Sequence, residues 1–303
     1  MSSTILNQAI IMLLLILTGF GCSKSGIISE SGTKELSKLV LTIVNPVVIF
    51  TAYQTEFKSE LIKGFISAFI LSVFAYIIAM VISYLLIRRK NGRETDIERF
   101  SCIYSNCAFM GIPLVQSILG SEGVFYLTAF LTVFNILVWT HGIIQISGVK
   151  TFKFIIKAFT SPSIIAVAAG LVCFICRIHL PSIFLKSLEF IGNMNTPLAM
   201  IVAGATIAET NILKALKNPR IYYVSLITIM VIPLMTAGLF RMIPMNESSE
   251  LTVLIAMSAP TAAIGTMLCL NYNKNSIFAS EIFAVTTLLS TLTMPLIVHL
   301  YKL

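Results

Sequence analysis

Long apolar runs recur along almost the whole of this sequence and constrain its fold more than any other feature. Hydrophobic residues make up 57% of the 303 residues, and charged residues make up only 11%. A water-soluble domain of this length could not hide so much apolar surface, whereas a helix that crosses a bilayer needs about 20 predominantly apolar residues. The sequence therefore predicts an all-α membrane protein. The ten predicted transmembrane helices, called spans here, cover residues 5–22, 36–53, 62–87, 100–119, 124–147, 160–178, 188–208, 220–242, 251–270 and 278–300.

Basic residues lie mainly on one side of the predicted spans. Most of the 21 Lys and Arg residues fall in the loops after spans 1, 3, 5, 7 and 9, among them Arg88, Arg89 and Lys90. Short loops rich in these residues stay in the cytoplasm. The prediction is therefore a multi-pass protein of the cell membrane with both termini outside the cell. This asymmetry accounts for the net charge of +8. The lipid bilayer is thus an expected partner, and nucleic acid is not.

The two halves of the chain carry similar markers in the same order. Asn45-Pro46 in span 2 matches Asn195-Thr196-Pro197 in span 7, and Pro113 in span 4 matches Pro260 in span 9, with nearly equal offsets. Because each half contains an odd number of spans, two copies of one unit must lie upside down relative to each other. The prediction is two inverted five-helix repeats, residues 1–150 and 151–303.

Pro113 and Pro260 each interrupt an apolar span. Proline removes a backbone N–H and clashes with the preceding turn, so a broken helix is tolerated in a membrane only beside a polar cavity. Proline is also favoured at the first position of a helix, and each is predicted to open a half-helix whose free N–H groups attract an anion. Small polar residues near the breaks are candidate ligands: Ser105, Asn106, Ser258 and Thr261.

The stretch SNCAFMGIPL at residues 105–114 resembles the Asn-x-x-x-Met-Gly-x-Pro-Leu motif of the auxin efflux carrier family. Asn45-Pro46, residues 196–200 and residues 259–262 are similar to further family positions, and the resemblance covers essentially the whole chain. It implies ten helices in two inverted repeats, with broken helices 4 and 9 crossing at their prolines and a moving part that works like an elevator. It also implies a small organic anion as substrate and a homodimer.

The resemblance carries site roles onto individual residues. It implies that Asn106 contacts the substrate carboxylate and that Pro113 and Pro260 form the crossing, with Ser105, Leu114 and Asn45 beside them. At the start of span 6 the family commonly has an Asn-Pro pair, whereas this chain has Ser161-Pro162-Ser163. Ser161 and Ser163 keep hydroxyl groups there but lose the amide.

Glu281 is the candidate for ion coupling. Carriers driven by protons or ions usually have a carboxylate within the membrane, and Glu281 lies near the start of span 10, where an interfacial position is also expected. A sodium site built from freed carbonyls, an anion exchanger and a uniporter remain alternatives.

We therefore predict a secondary transporter of small organic anions, such as auxin-like or malate-like carboxylates. The alternatives are a sodium- or cation-coupled carrier of related crossed-helix fold and a transporter-like anion sensor. No Ser/His, Asp/Asp or His/Glu set predicts an enzyme. The three histidines do not cluster, so neither a metal site nor a cofactor is expected, and His141 with Trp139 is interpreted as marking the boundary of span 5.

Overall fold

A computed structural model describes residues 2–148, 160–210, 215–243 and 245–302. Every regular element in these ranges is a helix, and the one β-type contact among them is an isolated bridge. The predicted all-α class is therefore confirmed. The helices are α1 Ser2–Lys24, α2 Glu30–Ala52, α3 Ser59–Leu86, α4 Thr95–Ile103, α5 Cys107–Ser147, α6 Pro162–Ile175, α7 Ser182–Glu209, α8 Pro219–Met242, α9 Glu247–Ser258, α10 Ile264–Asn271 and α11 Ser276–Lys302.

Six helices within the described ranges are long and apolar enough to cross a membrane: α2, α3, α5, α7, α8 and α11. Span 1 lies on α1, of which Ile10–Lys24 is a shorter apolar stretch. Span 6 is the short helix α6, and spans 4 and 9 are each divided between two helices, α4 with the first part of α5, and α9 with α10. Each piece of an interrupted helix is too short to cross a bilayer by itself, even where both pieces are apolar.

Helix α5 is kinked at Gly120. This residue has φ 62° and ψ −152°, a conformation that glycine adopts readily and other residues rarely do. A straight helix over all 41 residues of α5 would be about 60 Å long, twice the thickness of a bilayer core. The bend divides α5 into residues 107–119 and 121–147, which correspond to predicted spans 4 and 5.

Three prolines inside long helices are each preceded by a π-helical turn. The turns Val40–Val44, Cys107–Gly111 and Ile227–Val231 end two residues before Pro46, Pro113 and Pro233. A π turn shifts the backbone bonds from i→i−4 to i→i−5, which widens the helix where the proline ring would strike the preceding carbonyl. These prolines are therefore absorbed within continuous helices.

The helices form two packed groups. Helices α1, α2, α6 and α7 pack mainly on one another, and the remaining helices surround the breaks after α4 and α9. The contact between α1 and α7 is very close, because a Cβ atom on Gly204 would overlap the carbonyl oxygen of Ile16, and one on Gly19 would overlap that of Ile201. Small residues allow membrane helices to approach in this way.

Helices α2 and α7 run antiparallel. The first part of α2 packs on the last part of α7, and the last part of α2 packs on Ser182–Asn193, the first part of α7. Val48 marks the register, since its Cγ2 lies 3.3 Å from the position that a Cβ atom would occupy if Gly192 had one. This pair therefore spans the group from one end to the other.

A buried ion pair fastens α8 to α4. Arg220 donates from Nε to Glu98 Oε1 at 2.7 Å and from Nη2 to Glu98 Oε2 at 2.6 Å, and Glu98 is 1% exposed. Such a bidentate pair fixes geometry as well as charge. It holds the start of α8 against the helix that leads into the first break.

Candidate functional site

The two broken segments are hydrogen-bonded to each other. Ser105 and Thr261 form an antiparallel bridge, in which the N–H of Asn106 donates to the carbonyl of Pro260 at 2.6 Å. The N–H of Ala262 donates to the carbonyl of Tyr104 at 2.8 Å. We call residues 104–106 and 259–263, which lie between the helix ends, the crossing. Non-helical backbone at membrane depth needs such partners, because lipid offers none.

A helix begins directly after each broken segment. Helix α5 starts at Cys107, and α10 starts at Ile264. The first N–H groups of a helix have no partner within it and carry partial positive charge, so both helix N termini favour a negative group near the crossing. Thr261 adds order to this region, since its N–H donates to Thr286 Oγ1 of α11 at 3.3 Å.

Three side chains at the crossing have buried polar atoms without a hydrogen-bond partner among the described residues. They are Ser105 Oγ, Asn106 Nδ2 and Thr261 Oγ1, and each residue is at most 5% exposed. Buried polar groups in native proteins are normally paired, so each unpaired group needs a reason. A water molecule or a small polar ligand at the crossing would supply the missing partners.

The prolines lie differently from the sequence-based prediction. Pro260 is part of the crossing, but Pro113 lies inside α5, six residues after the helix begins. The prediction that each proline opens a half-helix is wrong. The π turn Cys107–Gly111 accommodates Pro113 and the break occurs before it, while α10 begins at Ile264, four residues after Pro260. Leu114 is buried beside a gap of about 10 Å³ with Met110 and Ser290.

Two larger cavities lie at opposite ends of the antiparallel pair α2 and α7. One has a volume of about 480 Å³ and opens between the start of α2, the end of α7, α10 and α11, with Phe109 at its wall. The other, of about 390 Å³, opens between the end of α2, the start of α7 and the bend of α5, with Gln116 and Ser121 at its wall. Both cavities separate the two packed groups of helices.

Comparison with known proteins agrees with a transport role. Residues 4–151 and residues 146–298 each match a family model described as a membrane transport protein. The chain belongs to this family. It is the auxin efflux carrier family that the motif at residues 105–114 resembles, so that resemblance is confirmed.

Relatives of this membrane transport protein are themselves described as transporters. An uncharacterized transporter of Methanothermobacter thermautotrophicus is 23% identical over 295 residues and is covered over 94% of both chains. An uncharacterized transporter of Methanocaldococcus jannaschii is 25% identical over 296 residues, covering 93% of this chain and 94% of that one. These names support transport and specify no substrate.

Asn45 of the transport protein belongs to α2, in the part that packs on α7. It is three residues before Val48, and Asn195 is three residues after Gly192, so the antiparallel register brings the two positions to about the same level of the helix pair. Both asparagines are 1% exposed, and both polar atoms of each amide lack a partner among the described residues. Sequence reasoning chose Asn45 and used Asn195 only as a repeat marker.

Other predicted residues have local partners. Ser258, the last residue of α9, donates from Oγ to the carbonyl of Leu254 at 2.7 Å. Ser161 caps α6 by accepting from the N–H of Ile164 at 3.4 Å, and Ser163 lies in the first turn of α6. A capping role accounts for Ser161 without a ligand.

Glu281 is buried in α11 of the transport protein. It is 5% exposed, and its Oε1 has no partner within the described ranges. A carboxylate that reaches from a membrane interface toward water would be exposed, and Glu281 is not. A buried carboxylate is costly in a membrane protein, and Glu281 therefore remains a candidate for ion coupling.

Sequence reasoning missed Tyr76 of α3. This residue is 1% exposed, and its ring centroid lies 6.2 Å from that of Tyr104 at the crossing. Its hydroxyl interacts with that of Ser105, although neither group makes a hydrogen bond of ordinary geometry within the described residues. The available signal was a face of small residues in α3, with Ala68, Ser72, Ala75 and Ala79 buried around it. A tyrosine on such a face lies where helices approach closely.

Proposed function

We propose that this protein is a secondary transporter that moves small organic anions across the cell membrane by alternating access. The observation that carries the proposal is the crossing, where two helix N termini lie near three side chains that each have a polar atom without a partner among the described residues. Fixed N–H dipoles offset the cost of bringing one carboxylate out of water. Asn106 donates to that carboxylate, and Ser105 and Thr261 complete its surroundings.

The two cavities support alternating access. They open at opposite ends of α2 and α7 and separate the two helix groups, so a displacement of one group would widen one cavity and narrow the other. The mobile group contains the crossing, and the group of α1, α2, α6 and α7 is the scaffold. We propose a homodimer in which each scaffold stays fixed while the mobile group moves like an elevator.

The proposed architecture is ten transmembrane helices in two inverted five-helix repeats. Two matches to one family model, one in each half of the chain, support an internal repeat. The paired breaks support it further, because each half supplies one broken segment to the crossing. The basic loops place both termini outside, so the 480 Å³ cavity faces the cytoplasm.

Flux measurements in proteoliposomes test this proposal. Radiolabelled malate, lactate and indole-3-acetate are compared with tryptamine, which carries an ammonium group on an indole body similar to that of indole-3-acetate. We expect saturable flux of at least one acid and none of tryptamine above protein-free liposomes. Saturable transport of tryptamine, or of no acid at all, would contradict anion transport. Tight binding of an acid without flux would favour the sensor alternative.

Gradients of sodium and of protons, imposed separately, identify the driving ion. A sodium gradient that accelerates acid uptake would favour the sodium-coupled alternative, since freed carbonyl and hydroxyl oxygens at the crossing are suitable sodium ligands. We expect uptake to respond to the proton gradient instead.

A further inference from the structure

A chain of hydrogen bonds leads away from the crossing through His141. Tyr104, whose carbonyl accepts from Ala262 at the crossing, has its hydroxyl 2.8 Å from His141 Nδ1. The other ring nitrogen of His141, Nε2, lies 3.2 Å from the hydroxyl of Tyr84 in α3. Tyr84 in turn donates to Gln145 Oε1 of α5. Both nitrogens of the imidazole therefore have phenol partners, one of which belongs to the crossing.

The far end of this chain reaches a polar cavity. Gln145 Nε2 donates to Asp96 Oδ1 at 2.8 Å, and Arg89 Nη2 lies 3.2 Å from the same oxygen. Arg89 and Asp96 line a cavity of about 440 Å³ together with Lys90, Arg93 and Lys274. An open, charged cavity holds water, so protons from solution reach this end of the chain.

The geometry satisfies every group in both protonation states of His141. In the neutral state, Tyr104 donates to Nδ1, while Nε2–H donates to Tyr84. In the cationic state, Nδ1–H donates to the Tyr104 oxygen, and Tyr104 donates to the carbonyl of Leu137, which lies 3.0 Å away. Protonation thus changes the direction of a hydrogen bond at the crossing without leaving a group unpaired.

We propose that His141 is the binding site of the coupling proton, so that a proton and the anion bind together; this inference rests on the transport function proposed above. His141 is separated from the crossing by one tyrosine side chain, so a cation there adds positive charge on the side of the crossing to which Tyr104 points, and this strengthens anion binding. By linkage, a bound anion strengthens proton binding by the same factor. Coupled binding of one proton with the anion follows, and transport of the doubly occupied site would carry both in the same direction.

Charged and titratable groups approach His141 from every helix packed around it. Tyr84 faces it from α3, Tyr104 follows α4, and Arg99 of α4 lies over the ring of Tyr84 at 4.3 Å. Beyond Gln145, the polar cavity brings Asp96 with Arg89, Lys90, Arg93, Glu94 and Lys274, and Cys269 lies buried in α10. Arg99 opposes a second cation and Asp96 favours one, so the two act in opposite directions on the imidazole.

Nuclear magnetic resonance of ¹⁵N-histidine in lipid nanodiscs tests proton binding without a substrate. The sequence has three histidines, so His141→Gln, His179→Gln and His299→Gln assign the signals. We expect the His141 signal to titrate between about pH 5 and 8, and Tyr104→Phe to shift its midpoint while the protein stays folded. A His141 signal that keeps one form across this range, or a midpoint unchanged in Tyr104→Phe, would overturn the proposal.

Transport measurements test the coupling. Uptake of malate, lactate and indole-3-acetate is measured at several external pH values in wild type, His141→Gln and the exposed-histidine control His179→Gln. We expect KM in wild type and the control to fall about fivefold or more from pH 8 to pH 6, and the pH dependence to vanish in His141→Gln. Tyr84→Phe, which keeps the ring, should give an intermediate profile.

The outcomes separate the two proposals. If no acid is transported, the proposed function fails, and with it the coupling, whatever the resonance experiment gives. If an acid is transported and His141→Gln keeps the wild-type pH profile, the coupling alone fails. Loss of the pH dependence in Glu281→Gln but not in His141→Gln would transfer the proton site to Glu281 and overturn the assignment to His141.

Discussion

Asn106 has a buried amide nitrogen beside two helix N termini and no described partner for it. Asn135 of α5 offers a contrast within the same protein, because its Nδ2 donates to the carbonyl of Leu131 at 2.7 Å, within its own helix. An amide that is already paired gains little from a ligand, whereas an unpaired buried amide gains a full hydrogen bond. The two asparagines therefore form a matched pair for mutation.

We expect Asn106→Ala to raise KM for a transported acid by about ten- to a hundredfold, since a hydrogen bond to a charged group contributes about 1.5–3 kcal/mol. The measurement is saturable uptake into proteoliposomes at equal amounts of folded protein. Asn135→Ala should leave KM within about a factor of two. Unchanged kinetics in Asn106→Ala would remove this residue from the binding site.

At this scale the sequence indicated the polar residues of the crossing and missed its aromatic neighbours. Thr261 directly follows Pro260, and Ser105 and Asn106 lie within the eight residues before Pro113 in an apolar span. Such local context is visible in a sequence. His141 and Tyr104 are 37 positions apart, and their contact depends on how the second part of α5 packs against α4. Single-residue patterns contain no such tertiary information, so His141 was interpreted only as a boundary marker.

Among the helices, the π turn before Pro113 lies directly beside the crossing. The turn Cys107–Gly111 adds one residue to the helix between Asn106 and Pro113. One residue corresponds to a rotation of about 100° in an α-helix. The π turn therefore sets the direction in which the crossing presents its side chains.

Pro113→Ala restores a backbone N–H and allows this π turn to become α-helical. We expect at least a tenfold loss of transport, because the crossing residues rotate relative to α5, while the protein stays folded. Pro233→Ala is the matched control, since Pro233 follows an equivalent π turn in α8. Uptake at wild-type rates in Pro113→Ala would show that the turn does not position the site.

The sequence predicted that helix breaks exist in spans 4 and 9 and misplaced one of them. Proline has two ways to fit in a membrane helix, a break or a π turn, and the choice depends on the neighbouring helices. At Pro260 the break is stabilised by hydrogen bonds with the other segment of the crossing, from Tyr104 to Asn106. At Pro113 the π turn Cys107–Gly111 keeps a continuous, widened helix.

At the scale of the whole molecule, the features that bear on alternating access are the cavities at opposite ends of α2 and α7. Neither cavity was predictable from spans and motifs, because a cavity is space left between helices that belong to different parts of the chain. The all-α class was predictable, since the apolar composition excludes a soluble fold. Alternating access requires that both cavities take part in one cycle.

Filling either cavity should therefore stop the cycle. We expect Thr206→Trp in the 480 Å³ cavity and Thr51→Trp in the 390 Å³ cavity each to reduce flux at least tenfold. Thr18→Trp is the control, because Thr18 is exposed on α1 and makes the same bond to the carbonyl four residues earlier as Thr206 does. Normal flux in either cavity variant would count against a role for that cavity in the transport cycle.

The bridge between Ser105 and Thr261 also has a consequence for biosynthesis. About 150 residues separate its two segments along the chain, and a ribosome needs about 10–30 s to add that many residues. Throughout that delay the carbonyl of Tyr104 and the N–H of Asn106 lack their native partners. The nascent first half therefore has to keep this segment hydrated, or sheltered by the insertion machinery, until the second broken segment emerges and enters the bilayer.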